Sequence, residues 1–226
     1  PVAGPSAAGT LGSAGSGTRT GSTTVQPPIG FVTANLNAKE VLLFDAVNGT
    51  FKKIPVPAST TPGLVEVSPT GEVAYVTLSP SYPTTEIGVV DLVDPVFVKK
   101  LQGKVNWPPL DMEVSADGKK LVLTTVEFAS GSWTPYLYAF DLDQGTLVNS
   151  VKLSSAATNP VPVPDRIAIG YDSKYAFVLD NALKTVSVYD LTTQTHLGSV
   201  PSANAVDMSK DIAPNANSAT LSADSN

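Results

Sequence analysis

The sequence contains no cysteine and a single histidine, His196. The missing cysteine excludes disulfides, iron–sulfur clusters, thiolate nucleophiles and cysteine-based zinc sites. One histidine cannot build an imidazole metal cluster, and no carboxylate is placed beside it to form a charge-relay mechanism. We therefore predict no catalytic residue, no metal ligand and no cofactor.

Positive charge and long apolar runs are also scarce. Fourteen Lys and Arg against twenty Asp and Glu give a net charge of -6, whereas a protein that binds phosphate backbones usually carries a basic surface. No run approaches the roughly 18 apolar residues of a membrane span. The sequence thus predicts neither a nucleic-acid partner nor a membrane-spanning segment.

The first 29 of the 226 residues differ in composition from the rest. They contain six Gly, five Thr, four Ser, four Ala and four Pro, and Arg19 is their only charged residue. Such a segment buries too little apolar surface to offset its conformational entropy, so we predict a tail or linker at 1–29. Because the chain opens at Pro1 rather than Met, we also expect an extracellular, cell-surface or periplasmic location.

Residues 30–200 form a repeat of short apolar strands broken by Gly, Pro, Asn and Asp. A strand that ends in aspartate recurs four times, and these aspartates are spaced 46, 50 and 49 residues apart: Asp45, Asp91, Asp141 and Asp190. This period, in a chain with no helical pattern, is typical of propeller blades of about 40–50 residues, each a four-stranded antiparallel sheet.

A second recurring element is a strand followed by a Ser-x-x-Gly turn and another strand. It occurs at Val65-Glu-Val-Ser-Pro-Thr-Gly71 and Met112-Glu-Val-Ser-Ala-Asp-Gly118, with a looser copy at 167–174. Small turn residues adopt the positive φ of tight hairpins, and Asp or Ser can bond to the backbone two residues on. We interpret these glycines and aspartates as turn residues.

Together these elements resemble the YVTN family of β-propeller repeats, which is found in secreted and surface-layer proteins and is related to lactonase-like propellers. The matching residues are Ala74-Tyr-Val-Thr77 after Ser68-Pro-Thr-Gly71, Phe31-Val-Thr-Ala-Asn35, and Thr185-Val-Ser-Val-Tyr-Asp190. The resemblance covers about residues 30–200 and implies an all-β propeller. It implies no particular activity, because one fold serves many functions.

The first of the predicted blades is incomplete. Complete blades are predicted at 62–103, 110–153 and 165–200, whereas 31–56 supplies three strands and lacks the innermost. The terminal segment 217–223 resembles an innermost strand and could pair with 31–36 to close a four-bladed ring. Alternatively, the chain is part of a larger propeller, since members of this family usually have about seven blades.

One face of the predicted propeller carries long loops, at 79–85, 104–109, 129–135 and 154–165. These loops contain both tryptophans of the sequence, Trp107 and Trp133, together with Tyr82 and Asn106. Loops on a rigid scaffold often carry binding residues, and aromatic side chains anchor interfaces. The candidate binding residues are therefore Tyr82, Asn106, Trp107 and Trp133, although the aromatic rings could instead pack as plugs between blades.

The other candidate site residues can also be explained by a purely structural role. Asp165 and Arg166 begin an inner strand and could point into the axial channel, or they could form a surface ion pair. Asp91 with Asp94, and Asp141 with Asp143, could offer oxygen ligands to calcium, but neither run follows a calcium-loop pattern and turn formation explains them.

These observations favour a secreted or cell-surface propeller that acts as a non-catalytic binding and assembly scaffold. Its expected partner is a protein or another copy of the chain, bound through exposed sheet edges and the N-terminal tail. The alternative is a propeller enzyme of the lactonase-like or dehydrogenase-like group, which would need clustered carboxylates or a metal at the axis.

Overall fold

A computed structural model describes residues 30–35, 37–154 and 161–201 of the chain. Every regular element in this part of the chain is a β-strand, and no helix there is long and apolar enough to cross a membrane. Sixteen strands, β1 to β16, form four antiparallel sheets that follow one another in chain order.

The first sheet has three strands and the second has five. The first contains β1 (Gly30–Asn35), β2 (Glu40–Asp45) and β3 (Thr50–Pro55). The second contains β4 (Thr61–Val67), β5 (Val73–Ser81), β6 (Thr84–Asp91) and β7 (Val96–Lys100), and the two-residue β8 (Val105–Asn106) pairs with β6.

The third and fourth sheets each have four strands in sequential order. The third contains β9 (Asp111–Val114), β10 (Lys120–Ala129), β11 (Ser132–Asp141) and β12 (Thr146–Lys152). The fourth contains β13 (Pro164–Ile169), β14 (Tyr175–Asp180), β15 (Thr185–Asp190) and β16 (Thr195–Pro201). Each of these two sheets is an up-and-down antiparallel unit.

The repeated aspartates occupy one equivalent position, as the sequence predicted. Asp45, Asp91, Asp141 and Asp190 are the last residues of β2, β6, β11 and β15, and each pairs with the first residue of the next strand. Their carboxylates accept backbone N–H groups two or three residues on, for example those of Thr192 and Thr193 at Asp190. These hydrogen bonds lower the pKa of Asp190, and they stabilise the turn to the outer strand.

The core lies between the sheets. Three clusters of buried apolar side chains connect the first sheet to the second, the second to the third, and the third to the fourth. Ile87, Leu121, Leu137, Phe140 and Tyr189 are fully buried in these clusters. The second and third sheets therefore each contribute one apolar face to the preceding sheet and one to the following sheet.

The prediction of long loops at 79–85 and 129–135 is wrong. β5 and β6 continue to Ser81 and from Thr84, and β10 and β11 continue to Ala129 and from Ser132, so two-residue turns join them. Ser130 and Gly131 both have positive φ, 51° and 80°, which suits the tight turns that connect twisted strands. At these two connections the face carries extended hairpins, and β8 lies within the predicted loop 104–109. Residues 155–160 of the predicted loop 154–165 lie outside the described part of the chain.

Among the described residues, the first sheet has three strands and no counterpart of the innermost strand of its neighbours. β3 contacts β7, and β12 contacts β16, so β3 is an outer strand and β1 takes the second position from the axis. Residues 1–29 and 217–223, for which we predict a tail and an innermost strand, lie outside the described part of the chain.

Substituting Gly88 of β6 by alanine should destabilise the protein by about 1–2 kcal/mol, because the added Cβ overpacks a buried cluster. That Cβ would lie 2.7 Å from Cε2 of Phe97, 2.9 Å from Cδ1 of Leu78 and 3.0 Å from Cγ1 of Val76. Urea unfolding of Gly88→Ala would measure the change. An exposed substitution, Ala129→Ser, is the control, and equal stability of both variants would contradict the packing.

Candidate binding site

Four aromatic side chains form a row across the tips of two hairpins. The rings of Tyr82 and Trp107 lie 5.2 Å apart, those of Trp107 and Trp133 lie 5.5 Å apart, and those of Trp133 and Phe128 lie 4.8 Å apart, measured between centroids. The first two pairs meet edge to face, the geometry that aromatic quadrupoles favour. We call Tyr82, Trp107, Trp133 and Phe128 the aromatic row.

The row is exposed at its ends and partly buried at its centre. Tyr82 is 71% exposed and Phe128 is 45% exposed, whereas Trp107 and Trp133 are partly buried. The tryptophans therefore pack on the hairpins and remain partly accessible to solvent. They do not form fully buried plugs between the sheets.

Trp107 is held in an unusual backbone conformation. Its φ is 66°, in the left-handed region that bulky residues rarely adopt. Asn106, just before it, pairs with Thr84 of β6, and the buried hydroxyl of Thr85 donates a hydrogen bond to the Trp107 carbonyl at 3.4 Å. The short strand β8 thus fixes the backbone that places the indole between Tyr82 and Trp133.

A buried tyrosine supports the same segment from below. The hydroxyl of Tyr138 donates a hydrogen bond to Oε1 of Glu127 and receives one from the backbone of Asn106. Tyr138 is only 5% exposed, and burial, followed by the bond to Glu127, raises the pKa of its hydroxyl above the ordinary range. The phenol therefore stays protonated and connects the third sheet to β8.

Four of the six residues predicted from the sequence lie in this region. Tyr82, Trp107 and Trp133 belong to the row, and the exposed Asn106 adjoins it. Asp165 and Arg166 lie on β13 in the fourth sheet, where Arg166 pairs with Leu179. The side chain of Asp165 lies outside the described part. Phe128 was missed because it ends a strand, and its pairing with Trp133 depends on the hairpin register.

A second group, of carboxylates on the inner strands, was also missed. Glu66 lies on β4, and Asp111 and Glu113 lie on β9. Asp111 Oδ2 accepts the N–H of Ile167 at 2.7 Å, and Glu113 Oε1 accepts the N–H of Ile169 at 3.4 Å. The third sheet thereby satisfies donors on the free edge of β13. Glutamate at the same position of two repeats, in the shared run Glu-Val-Ser, was the available signal.

Burial changes the acidity of these glutamates. Desolvation, with the charges of Glu113 and Asp111, raises the pKa of Glu66 to about 7. Desolvation also raises the pKa of Glu113 to about 7, although its bond to the Ile169 N–H opposes the shift. Among the described residues, no group of three His, Cys, Asp or Glu side chains is arranged to hold a metal ion.

The opposite side of the sheets has a small charged depression of about 330 Å³ between the third and fourth sheets. Its lining contains three lysines and four aspartates, and two ion pairs form there, with Lys120 Nζ 3.1 Å from Asp141 Oδ2 and Lys174 Nζ 3.7 Å from Asp172 Oδ2. The Ser173 hydroxyl accepts the N–H of Asp117 across it at 3.2 Å. This last contact connects the two sheets, and the depression carries no large excess of either charge.

No protein-family model matches the sequence, and no curated protein has significant similarity to it. Among solved structures, the chain is similar to Kuenenia stuttgartiensis hydrazine synthase, with a TM-score of 0.57 and 19% identity over 81% of this chain and 52% of that one. It is also similar to Kluyveromyces lactis Hsv2, a β-propeller, with a TM-score of 0.55 and 14% identity over 76% of this chain and 58% of that one.

The chain thus spans a little over half the length of each of these two structures. Identities of 14% and 19% inform only on the fold. With the four antiparallel sheets in chain order and the apolar clusters between them, they show that the chain has the β-propeller fold.

Proposed function

We propose that the chain is a non-catalytic binding scaffold that recognises a protein partner through the aromatic row. The observation that carries this proposal is the aromatic row, in which an exposed tyrosine and an exposed phenylalanine flank two partly buried tryptophans at the hairpin tips. Tryptophan and tyrosine are enriched among the residues that dominate binding energy at protein interfaces. A contiguous exposed apolar patch on a soluble domain also marks an interaction site.

The strained backbone at Trp107 supports the same proposal. A left-handed conformation costs a bulky residue about 1 kcal/mol or more, and this cost persists because β8 and the Thr85 hydroxyl hold the segment. Such preorganisation reduces the entropy lost on binding. The arrangement therefore suits a partner that contacts a fixed aromatic surface.

The proposed setting is outside the cytoplasm, at the cell surface or in the periplasm. It is supported by the Gly-, Ser- and Thr-rich opening segment and by the resemblance to propeller repeats of secreted and surface-layer proteins. Self-association through sheet edges and through residues 1–29 belongs to the same proposal, since unpaired strand edges accept further strands.

A selection experiment tests the aromatic row. A phage-displayed library of random peptides is panned against the full chain, and selected peptides are titrated while tryptophan fluorescence is followed, because Trp107 and Trp133 are the two tryptophans of the sequence. We expect saturable binding that falls at least about tenfold in Trp107→Ala, or about 1.4 kcal/mol. Tyr171→Ala, at a tyrosine that is 88% exposed in a distant turn, should bind normally.

Two results would contradict this proposal. One is failure to enrich any peptide, and the other is equal binding by wild type and by the Trp107→Ala and Trp133→Ala variants. Circular dichroism of each variant would establish that the sheets remain folded.

The alternative, an enzyme, has one observation in its favour, namely the partly buried glutamates of the inner strands. A carboxyl group with a pKa near 7 suits general acid–base catalysis. The N–H groups of Ile167 and Ile169 on β13 donate to Asp111 and Glu113, which gives these two carboxylates a structural role instead. A lactone-hydrolysis assay decides between them, since turnover that Glu66→Gln abolishes would overturn the non-catalytic proposal.

A further inference from the structure

The aromatic row has a ridged rather than a flat surface. The ring planes of Tyr82 and Trp107 are inclined by 82°, those of Trp107 and Trp133 by 68°, and those of Trp133 and Phe128 by 48°. A ligand that stacks several flat rings on aromatic faces, as a run of nucleobases does, needs aromatic rings that share one plane. Successive rings of the row turn away from one another, so the row does not form such a platform.

The row also carries hydrogen-bond donors that the protein does not use. Within residues 30–35, 37–154 and 161–201, the indole N–H groups of Trp107 and Trp133 and the hydroxyl of Tyr82 form no hydrogen bond with the protein. Neither indole nitrogen is buried without a partner, so both are accessible to solvent. An indole N–H is a donor only. The row therefore suits a ligand that combines apolar groups with hydrogen-bond acceptors.

A proline-rich segment in the polyproline II conformation has this chemistry. Proline has no backbone N–H, and the polyproline II helix makes no internal hydrogen bonds, so its carbonyl oxygens remain available as acceptors. Its pyrrolidine rings pack against protruding aromatic side chains, which is how several domains recognise such segments. An ordinary extended peptide also brings backbone N–H donors, for which the two indoles offer no acceptor.

The row and such a segment are both ordered before they meet. The pairing of β8 with β6 fixes the backbone before Trp107, and ring contacts connect Trp107 to Tyr82 and Trp133. A polyproline II helix is preformed and loses little conformational entropy on binding. Because ordering on association reduces affinity, this surface favours a rigid ligand over a flexible one.

We propose that the aromatic row recognises a proline-rich peptide segment in the polyproline II conformation. Carbonyl oxygens of the segment accept the indole N–H groups of Trp107 and Trp133, and its proline rings pack between the aromatic side chains. This inference rests on the proposed function, since it names the kind of protein segment that the row binds.

Titration of the full chain with an oligoproline peptide tests the inference, with binding measured by calorimetry. We expect saturable binding of the oligoproline. A Gly-Ser peptide of the same length is flexible and carries backbone N–H groups, so it should bind at least about tenfold more weakly.

The variants Trp107→Phe and Trp133→Phe test the hydrogen bonds, because phenylalanine keeps an aromatic ring and removes the N–H. Each should weaken oligoproline binding by at least about threefold. Tyr171→Phe is the matched control, at a tyrosine that is 88% exposed and lies outside the row, and it should bind as the wild type does. Circular dichroism establishes that each variant remains folded.

Equal binding of the oligoproline and Gly-Ser peptides would overturn the inference, and so would unchanged affinity in both phenylalanine variants. The phage selection separates this failure from a failure of the proposed function. Selected peptides that lack proline and lose affinity in Trp107→Ala would overturn the polyproline inference and leave the proposed function intact. Failure to select any peptide, with no binding of oligoproline, would overturn both.

Discussion

Raising the pH from 5 to 8 is expected to lower the free energy of unfolding by about 2–3 kcal/mol, through Glu66 and Glu113 of the inner strands. The pKa of each is about 7 in the folded chain, above the ordinary value of 4.5. Between these values the unfolded chain releases protons that the folded chain retains. The stability contributed by the neutral carboxyl groups is therefore complete below pH 4.5 and is lost as the pH rises through 7.

The magnitude follows from the size of these shifts. Such a displacement corresponds to at most about 3 kcal/mol for one isolated group, and partial solvent exposure reduces this to about 1–2 kcal/mol. The turn aspartates affect the free energy of unfolding in a different pH range. The pKa values of Asp45, Asp141 and Asp190 are lowered, so their contribution is lost only at acidic pH.

Urea unfolding of the wild type and of Glu66→Gln and Glu113→Gln at pH 5 and pH 8 measures the effect. Glutamine keeps an oxygen that can accept the Ile169 N–H, so each variant should remain folded and flatten the pH dependence. Glu72→Gln, beside the Ser68–Gly71 turn, is the control and should keep the wild-type slope. An equal loss of stability in all four proteins would exclude the inner-strand glutamates as its cause.

We also expect a large loss of stability, about 2–4 kcal/mol, in Asp180→Ala. Asp180 ends β14 and is 4% exposed. Its Oδ1 accepts the N–H groups of Val163, Ala182 and Leu183 at 3.0, 3.0 and 2.8 Å. Alanine would leave these donors without their acceptor and would release the segment before β13 from the β14–β15 turn.

Asp180→Asn provides the matched comparison. The Oδ2 atom of Asp180 is buried without a hydrogen-bond partner among the described residues, so asparagine can keep the Oδ1 bonds while removing a buried charge. We expect Asp180→Asn to change the stability by less than about 1 kcal/mol. Asp172→Ala, at an exposed turn aspartate, serves as the control in the same urea experiment. Equal losses for alanine and asparagine at position 180 would show that the three backbone bonds contribute little.

Short sequence patterns predicted the repeat, whereas contacts between residues distant in the sequence were harder to predict. The aspartates at strand ends were predictable because their role involves residues only two or three positions away. The hairpin at 129–135 was misread as a loop because serine rarely adopts the positive φ that Ser130 has. The hairpin at 79–85 was misread because of its prolines, and the register shift between Leu78 and Ser81 accommodates Pro80.

The candidate site was predicted in part for the same reason. Tyr82, Trp107 and Trp133 were found because all three fall on connections at one side of a propeller. Their order and contacts depend on β8 pairing with β6 across a separation of 22 residues, which no local pattern encodes. Glu66 and Glu113 were present in the repeated Glu-Val-Ser strands, but the pKa of each depends on burial by the neighbouring sheets.

The hydrogen bonds from Asp111 and Glu113 to the edge of β13 limit how this repeat can evolve. The third sheet supplies the acceptors and the fourth sheet supplies the donors. A further blade inserted between these sheets would separate the carboxylate acceptors of β9 from the N–H donors of β13. The bonds could form again only if the new blade had carboxylates on its innermost strand and unpaired N–H groups on the edge of that strand. We therefore expect that inserting or removing a blade between these two sheets would destabilise the fold more than the same change at a junction without such bonds.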